Sequence, residues 1–350
     1  MTALRPPAGA PPVEVADRRS PGVRALGLLA LLTVLGLAVI ASLAIGARAI
    51  APLEVLQILL GQDTGQNTVV VYQLRLPRTL IAIVAGTSLG VAGALIQSVT
   101  RNPLADPGIL GVNAGAAFAL AMGTGLVGVS GALGTLTLAY LGAFVASVVV
   151  YAIGSIGRGG ASPVRLILAG VALGAVLAGI TRAIVLTDRE RFSVMTSWES
   201  GSLLDRDVGL LGPAVPFVII GLGIALAIAS SLNAIALGDD LASALGANVM
   251  RTRILAVIAV MLLAGTATAL AGPIAFVGLM VPHAVRWIVG PDQRWIIGYS
   301  ALAAPSLLLF ADVLGRVALQ SGELPAGIVT ALVGAPVLIF LVRRRKASEL

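Results

Sequence analysis

Apolar stretches of about twenty residues follow one another along this chain, and they decide what it can fold into. A helix that crosses the ~30 Å hydrocarbon core of a bilayer needs about 20 mostly apolar residues. Only 11% of the residues are charged, against about a quarter in ordinary soluble domains. The sequence therefore predicts an all-α polytopic membrane protein with about ten transmembrane helices, at 24–47, 78–99, 109–128, 132–155, 164–186, 213–232, 252–271, 273–289, 296–319 and 325–342.

The chain is predicted to consist of one membrane domain with short polar ends. Residues 1–22 form a polar leader, 23–342 the transmembrane domain, and 343–350 a basic tail. The first apolar run is too long for the core of a signal peptide, which spans about 7–15 residues, so we interpret it as a retained first span.

The distribution of basic residues predicts the orientation. With the N-terminus inside, fifteen of the 23 Lys and Arg residues fall in the leader, the tail and the inner loops, which is the bias of cytoplasmic segments. Both termini are thus expected to face the cytoplasm, with lipid around the spans. The net charge of +7 is explained by this basic rim, and we expect no nucleic-acid partner.

The order of the spans suggests an internal symmetry. Spans two to five start outside, whereas spans seven to ten start inside, so two groups of four can be related only as an inverted repeat. Inverted repeats are a common plan of transporters. Small-residue spacings such as Gly86/Gly90, Gly111/Gly115 and Gly170/Gly174 are expected to be helix-packing seams.

The composition excludes several kinds of chemistry. The chain has no Cys and one His, His283, so it offers no Cys/His zinc site, and we predict no metal site and no covalently bound cofactor. Its single lysine, Lys346, precedes Ala347, which excludes the P-loop pattern. No pair of catalytic groups lies near mid-span, so we expect no enzyme and no ATP hydrolysis by the chain itself.

Arginines mark the predicted outer surface. Arg75 and Arg78 flank Pro77, and they are either interfacial anchors or a basic docking patch for an acidic partner. Asp312 and Arg316 lie four residues apart in span nine, where an ionisable residue must be paired or face a cavity. Two alternatives stay open: an internal ion pair, or an Arg316 that reaches the outer face beside Arg75 and Arg78. Glu323 follows in a short outer loop.

Residues 97–111 interrupt the apolar pattern on the inner side. Pro103 and a second proline forbid a continuous helix, while Asn102 and Asp106 can cap the broken pieces. This segment is either a simple loop or irregular backbone packed into protein.

A short helix is predicted within 237–248, also on the inner side. Asp239 or Asp240 can act as its N-cap, Leu241 and Leu245 share one face, and Gly246 suits the C′ position. Such a helix can rest on lipid or bind a partner protein. Its low basicity favours the partner, because helices that seek the lipid surface favour Lys and Arg.

Six ordered strings resemble the FecCD/vitamin-B12-type permease family of ATP-binding-cassette importers, over about residues 50–342. The string at 93–116 is most similar to the ferric-enterobactin branch of that family. The strings are RLPRTL (75–80), GALIQSVTRNPLADPGILGVNAGA (93–116), LILAGVAL (166–173), ALGDDLASALG (236–246), AGPIAFVGLMVPHAVR (271–286) and ELPAGIVTALVGAPVLI (323–339).

The resemblance implies the type II ABC importer permease fold and an assembly in the bacterial cytoplasmic membrane. Its expected partners are two cytoplasmic ATPases that use ATP, an extracytoplasmic substrate-binding protein, and a second permease subunit. The enterobactin-like branch commonly pairs two different permease chains, so a paralogous partner is expected, with a homodimer as the alternative.

The resemblance also implies residue roles. Arg75, Arg78 and Arg316 fall where permease arginines meet acidic residues of the binding protein. The inner gate falls on Ser162, Pro163 and Val164, although Pro163 departs from the small hydroxyl residues of the B12 branch. The segment that seats in the ATPase falls on Gly238, Asp239, Asp240, Leu241, Ala242, Leu245 and Gly246.

The function expected from this resemblance is uptake of an iron-siderophore complex. Haem or cobalamin is the alternative cargo. An ion-coupled secondary transporter is a rival class, and it would need a carboxylate at mid-depth in the membrane, for which Asp312 is the only candidate within a span.

Overall fold

The computed structural model describes residues 21–62, 65–129, 131–156, 163–187, 189–204, 208–319 and 322–347. Within them the chain forms fourteen α-helices and no β-strand. They are α1 (Pro21–Ala44), α2 (Pro52–Leu59), α3 (Gln66–Val69), α4 (Leu76–Thr100), α5 (Val112–Met122), α6 (Ala132–Ser155), α7 (Pro163–Val185), α8 (Arg189–Glu199), α9 (Leu211–Ala236), α10 (Asp239–Ala244), α11 (Val249–Ala271), α12 (Val277–Val289), α13 (Gln293–Val317) and α14 (Ala326–Ala347).

The all-α class is confirmed, and the described residues contain seven helical segments long and apolar enough to cross a membrane. Two further apolar helices are shorter: α12, and α14 as far as Phe340. The count of ten spans therefore stays a prediction. The seven segments are Gly22–Ala44, Gln66–Thr100, Leu133–Ser155, Val164–Val185, Val208–Ala236, Val249–Ala271 and Gln293–Val317.

The core of the fold is built around α4, α11 and α13, which are mostly buried, whereas α1 and α7 are mostly exposed. The exposed faces are apolar, with side chains such as Leu26, Leu168 and Ile219 more than half exposed. Contiguous apolar surface of this extent is rare on soluble monomers and marks a face covered by lipid or by a partner.

Glycines let the central helices approach closely. A Cβ added at Gly93 would overlap the carbonyl of Gly278 in α12, and one at Gly86 would overlap Pro305 of α13. Gly115 of α5 meets Gly142 of α6 in the same way. The predicted packing role of these small residues is thus confirmed at Gly86 and Gly115.

The second span begins earlier than predicted. Helix α3 continues through a π-helical segment, Val70–Arg75, directly into α4. Pro77 has no N–H to donate, and the N–H of Leu76 bonds to the carbonyl of Val71, five residues back. Arg75 therefore lies within a continuous helical run, which begins before the predicted start of the second span at residue 78.

Helix α4 links two places of functional interest. Arg78 lies in its first turn, and Arg101 follows its last residue, Thr100. At 1.5 Å per residue, these two arginines are separated by about 35 Å along the helix axis. The fold therefore puts the neighbourhoods of Arg78 and Arg101 at opposite ends of the molecule.

Candidate functional site

At one end of α4, three arginines and two carboxylates form a cluster, which we call the arginine cluster: Arg75, Arg78, Asp312, Arg316 and Glu323. The arginines are only 6%, 8% and 5% exposed, in that order, and Asp312 has no exposed surface. Charges at such depth are stable only when they are paired and hydrogen-bonded.

Asp312 is the centre of the arginine cluster. Its Oδ1 accepts hydrogen bonds from Arg78 Nε at 2.9 Å and from Arg78 Nη2 at 2.7 Å. Its Oδ2 accepts from Arg316 Nε at 3.0 Å and also from Arg316 Nη2. One carboxylate thus holds two guanidinium groups, from α4 and α13.

The arginines also bind the end of α1. Arg316 Nη1 donates to the carbonyl of Ser42 at 2.7 Å, and Arg316 Nη2 donates to the Ser42 hydroxyl at 3.1 Å. Arg75 Nη1 donates to the carbonyl of Leu43 at 2.7 Å. The hydroxyls of Ser42 and Thr79 lie 2.8 Å apart. These bonds satisfy carbonyls in the last turn of α1 that have no helical partner.

The arginine cluster lines a cavity of about 580 Å³. Arg48, Arg75, Arg78, Arg316 and Glu323 are among the residues that line it. Among the described residues, four guanidinium groups and one carboxylate, that of Glu323, line the cavity, and Asp312 lies buried behind them. The cavity therefore suits an anionic group, such as a carboxylate presented by another molecule.

Both sequence interpretations of Arg316 describe part of what is found. Asp312 and Arg316 form the i,i+4 ion pair, and Arg316 also lies beside Arg78. The sequence patterns did not indicate Arg48, Ser42 or the bond from Arg78 to Glu323. The available signals were a hydroxyl within an apolar span, at Ser42, and an acidic residue after a span, at Glu323, but neither signal identifies the residue that it binds.

At the other end of α4, the short helix α10 is present as predicted within 237–248. Gly238 precedes it at φ +117°, and Gly246 follows at φ +82°, the left-handed geometry of a C′ glycine. The prediction that Asp239 or Asp240 caps the helix is wrong: Gly238 is the N-cap, and both carboxylates lie in the first turn. Negative charge is favourable there because of the helix dipole.

One face of α10 is open and the other is fixed to the bundle. Leu241 and Leu245 are 48% and 62% exposed, whereas Ala242 is fully buried. Asp239 pairs with Arg101 and, at 2.9 Å, with Arg253 of α11. The helix therefore presents two leucines outward from a position held by two ion pairs.

The loop between α4 and α5, which is predicted to lie on the inner side, contains the buried residues Ala105 and Leu110. Asp106 Oδ1 accepts from the N–H of Gly108 at 2.8 Å and caps the 3₁₀ turn Pro107–Leu110, as predicted. Burial raises the pKa of the Asp106 carboxyl, and this hydrogen bond offsets part of that rise.

Asn102 behaves differently from Asp106. Its Oδ1 accepts from the N–H of Leu104 at 3.0 Å and forms a turn. Its own N–H donates to the carbonyl of Gln97 at 3.1 Å, so Asn102 closes the end of α4 through its backbone rather than its side chain. Pro103, the third residue assigned to the inner loop, follows it and lines a cavity of about 370 Å³ beside Arg101.

The predicted gate falls only partly within the described residues. Ser162 lies outside them, α7 begins at Pro163, and Val164 is exposed in the first turn of α7. Across the described part of the chain, no three His, Asp or Glu side chains are grouped so that they could hold a metal ion.

Residues 32–344 match the FecCD transport family. The chain belongs to this family. It is 48% identical over 322 residues to the ferric enterobactin transport system permease protein FepD of Escherichia coli strain K12. The alignment covers 92% of this chain and 96% of that relative. It is 35% identical to a probable siderophore transport system permease protein, YfiZ, of Bacillus subtilis strain 168, over 91% of this chain and 95% of that one.

A solved structure shares the fold of this FecCD-family chain. It is described as an inward-facing conformation of a metal-chelate type ABC transporter, and it superposes with a TM-score of 0.80 at 28% identity. The match covers 91% of this chain and 99% of the other. Together with the apolar helices, these similarities identify a multi-pass inner-membrane protein of a transport family.

Proposed function

We propose that this chain is the permease subunit of an ATP-binding-cassette importer that moves an iron-siderophore complex into the cytoplasm. The observation that carries the proposal is the similarity to iron-siderophore permeases along nearly the whole chain, inside a family of transport proteins. The agreement in fold with a metal-chelate type transporter supports the same class of cargo.

The motor in this proposal is a pair of separate cytoplasmic ATPases. The chain has no P-loop, so ATP hydrolysis must be supplied by a partner. We assign the binding site of the ATPase, which we call the ATPase seat, to residues 238–246, because the exposed leucines of α10 offer an apolar face. The ion pairs of α10 with Arg101 and Arg253 would transmit its movement to α4 and α11.

The opposite end of the molecule would receive the extracytoplasmic binding protein. Arg75, Arg78 and Arg316 line one cavity, and a guanidinium group can bind a carboxylate in bidentate geometry, an interaction that strengthens when water is excluded. Arg78 and Arg316 already hold Asp312, whereas Arg75 donates to the backbone carbonyls of Leu43 and Arg48. Of these three arginines, Arg75 is therefore the one most available to an incoming carboxylate.

The remaining features of the proposal concern the assembly. We propose ten spans with an inverted pair of four-helix groups, both termini in the cytoplasm, a paralogous second permease subunit, and an inner gate at 162–164. The exposed apolar faces of the described helices support burial against lipid and a second subunit.

In the proposed mechanism, binding of ATP closes the two ATPases and moves α10 of each permease subunit. The movement rocks the permease halves, and the chelate passes between them without chemical change. Small apolar walls provide weak sites, which is what conduction requires, because a deep binding well would retain the cargo.

The ATPase seat is tested by co-purification of the ATPase with the permease. Replacing Leu241 and Leu245 by Ser should abolish recovery of the ATPase. The matched control replaces Leu53 and Leu56 of α2, an equally exposed pair near the arginine cluster, and should leave recovery unchanged. Full recovery with the α10 variant would refute the seat.

Docking is tested with Arg75→Gln, which leaves both partners of Asp312 in place. We expect the binding protein to bind this variant more weakly, while Arg182→Gln, at an exposed arginine of α7, binds it as the parent does. Equal affinity for the two variants would refute the docking assignment.

The cargo is tested by measuring which ligands the binding protein accepts. Ferric siderophores should bind, and haem and cobalamin should not. Selective binding of haem or cobalamin would replace the proposed cargo and leave the importer class intact.

The structure also weighs against the rival ion-coupled transporter. That mechanism needs a carboxylate that gains and loses its ion at mid-depth, whereas Asp312 is held by two arginines near the end of α13. Uptake driven by an ion gradient in vesicles that contain this chain alone would support the rival class.

A further inference from the structure

The guanidinium group of Arg78 is divided between two carboxylates that differ in accessibility. Its Nε and Nη2 donate to Asp312, which has no exposed surface. Its Nη1 donates to Glu323 Oε2 at 2.6 Å, and the Glu323 side chain is 27% exposed. Nη1 is therefore the side of Arg78 that faces the cavity, and a carboxylate of the same chain already occupies it.

The two carboxylates also differ in how firmly they are held. Asp312 lies inside α13 and binds both Arg78 and Arg316, so removing it would leave two buried charges without a counter-ion. Glu323 lies in the loop before α14, and within the described part of the chain its side chain forms an ion pair with Arg78. A carboxylate of another molecule can therefore replace Glu323 as a partner of Arg78, but it cannot replace Asp312.

We propose that Glu323 competes internally with the carboxylate of the docking protein. In the free permease it occupies Nη1 of Arg78, and docking displaces it from there. The inference rests on the proposed docking role of the arginine cluster. It predicts that Glu323 weakens docking, both by holding Arg78 and by placing a like charge where the incoming carboxylate must bind.

The experiment measures the affinity of the assembled importer, held in lipid nanodiscs, for the chelate-loaded binding protein purified from the same transport system. Glu323→Gln keeps the size of the side chain and removes its charge. We expect this variant to bind on the order of three- to tenfold more tightly at low salt, with the gain shrinking as salt screens the charges.

The matched control is Glu54→Gln. Glu54 lies in α2, is partly buried and accepts a hydrogen bond from Asn67 at 2.6 Å, which Gln can also accept. The Glu54→Gln substitution removes one negative charge from a site outside the arginine cluster, so the affinity of this variant for the binding protein should equal that of the parent. If Glu323→Gln fails to assemble, Glu323→Asp serves as a second variant: its shorter side chain releases Nη1, and binding should tighten to an intermediate degree.

The outcomes separate this inference from the proposed docking. An affinity of Glu323→Gln that equals or falls below that of Glu54→Gln would overturn the role of Glu323 while leaving docking intact, provided that Arg75→Gln still weakens binding. If the parent does not bind at all, or if Arg75→Gln binds like the parent, the docking assignment fails and the inference fails with it.

Discussion

At the scale of single residues, the end of the molecule that carries the arginine cluster depends on Asp312. This carboxylate has no exposed surface and neutralises one arginine from its own helix and another 234 positions away in sequence. Removing one partner from a buried ion pair leaves an uncompensated charge, which is far more costly than losing a surface pair.

We therefore predict that Asp312→Asn lowers the free energy of unfolding by about 3–5 kcal/mol. The measurement is thermal unfolding of the purified protein in detergent. Asp240→Asn, which changes an exposed carboxylate of α10, is the control and should stay within about 0.5 kcal/mol of the parent. Equal shifts for the two variants would show that the arginine cluster does not need its central charge.

Asp106 gives a prediction that depends on pH. Asp106→Ala should cost about 0.5–2 kcal/mol, because the N–H of Gly108 loses its acceptor. Asn retains an acceptor without the charge, so Asp106→Asn should be at least as stable as the parent at neutral pH.

The sign of the pH effect follows from the raised pKa of Asp106. A group whose pKa is higher in the folded state stabilises the fold at low pH, and this contribution is lost as the pH rises through the folded pKa. Relative to Asp106→Asn, the parent should lose stability as the pH is raised. Unfolding curves for both proteins, from about pH 4, the usual pKa of an aspartate, up to neutral pH, measure this difference, and the opposite trend would contradict it.

The sequence predicted local partners at this scale and missed distant ones. The Asp312–Arg316 pair and the Asp106 cap are set by spacings of four and two residues, which the helix period and turn chemistry dictate. The bond between Arg78 and Asp312 depends on how α4 packs against α13, which no local pattern contains. The mistaken N-cap at Asp239 arose because Gly238 supplies the geometry without a capping side chain.

At the scale of helices, α4 makes its closest contacts through glycine. The Gly93 position leaves no room for a Cβ, because the carbonyl of Gly278 occupies that space. Small residues that allow backbones to approach are the usual basis of helix association in membranes.

We predict that Gly93→Ala destabilises the protein by about 1–3 kcal/mol, because α4 and α12 must separate. Gly298→Ala in α13 is the matched control, since nothing lies within 4 Å of its added Cβ. That variant should be neutral or slightly more stable, as alanine favours a helix by up to about 1 kcal/mol over glycine. Thermal unfolding compares the two, and a Gly93→Ala protein as stable as the parent would contradict the packing account.

Helix boundaries were predictable where capping and turn residues mark them. α10 was found because Leu241 and Leu245 share one face and Gly246 marks its end, and α13 because its apolar run is long. The π-helical segment before Pro77 was missed, since a proline normally suggests a helix start and only the continuous backbone shows that the chain carries on through it.

At the scale of the whole molecule, the sequence predicted a helical membrane protein because span length and hydropathy are physical requirements of the bilayer. Seven of the expected spans have that length in the described residues. The segment 273–289 was predicted as a full span, but its helix begins only at Val277, after Phe276 adopts a left-handed backbone conformation at φ +68°. Hydropathy cannot detect such a break, because Phe276, where the break lies, is as apolar as the residues of the helix that follows.

The central claim is that this FecCD-family chain is a pathway driven by a separate ATPase. The most direct measurement is uptake of a ferric siderophore into proteoliposomes that contain the chain, its permease partner and the binding protein, with or without the ATPase. The account predicts ATP hydrolysis and ATP-dependent uptake only when the ATPase is present, with both lost when Leu241 and Leu245 are replaced by Ser. Hydrolysis by the permease alone, or uptake without the ATPase, would contradict it.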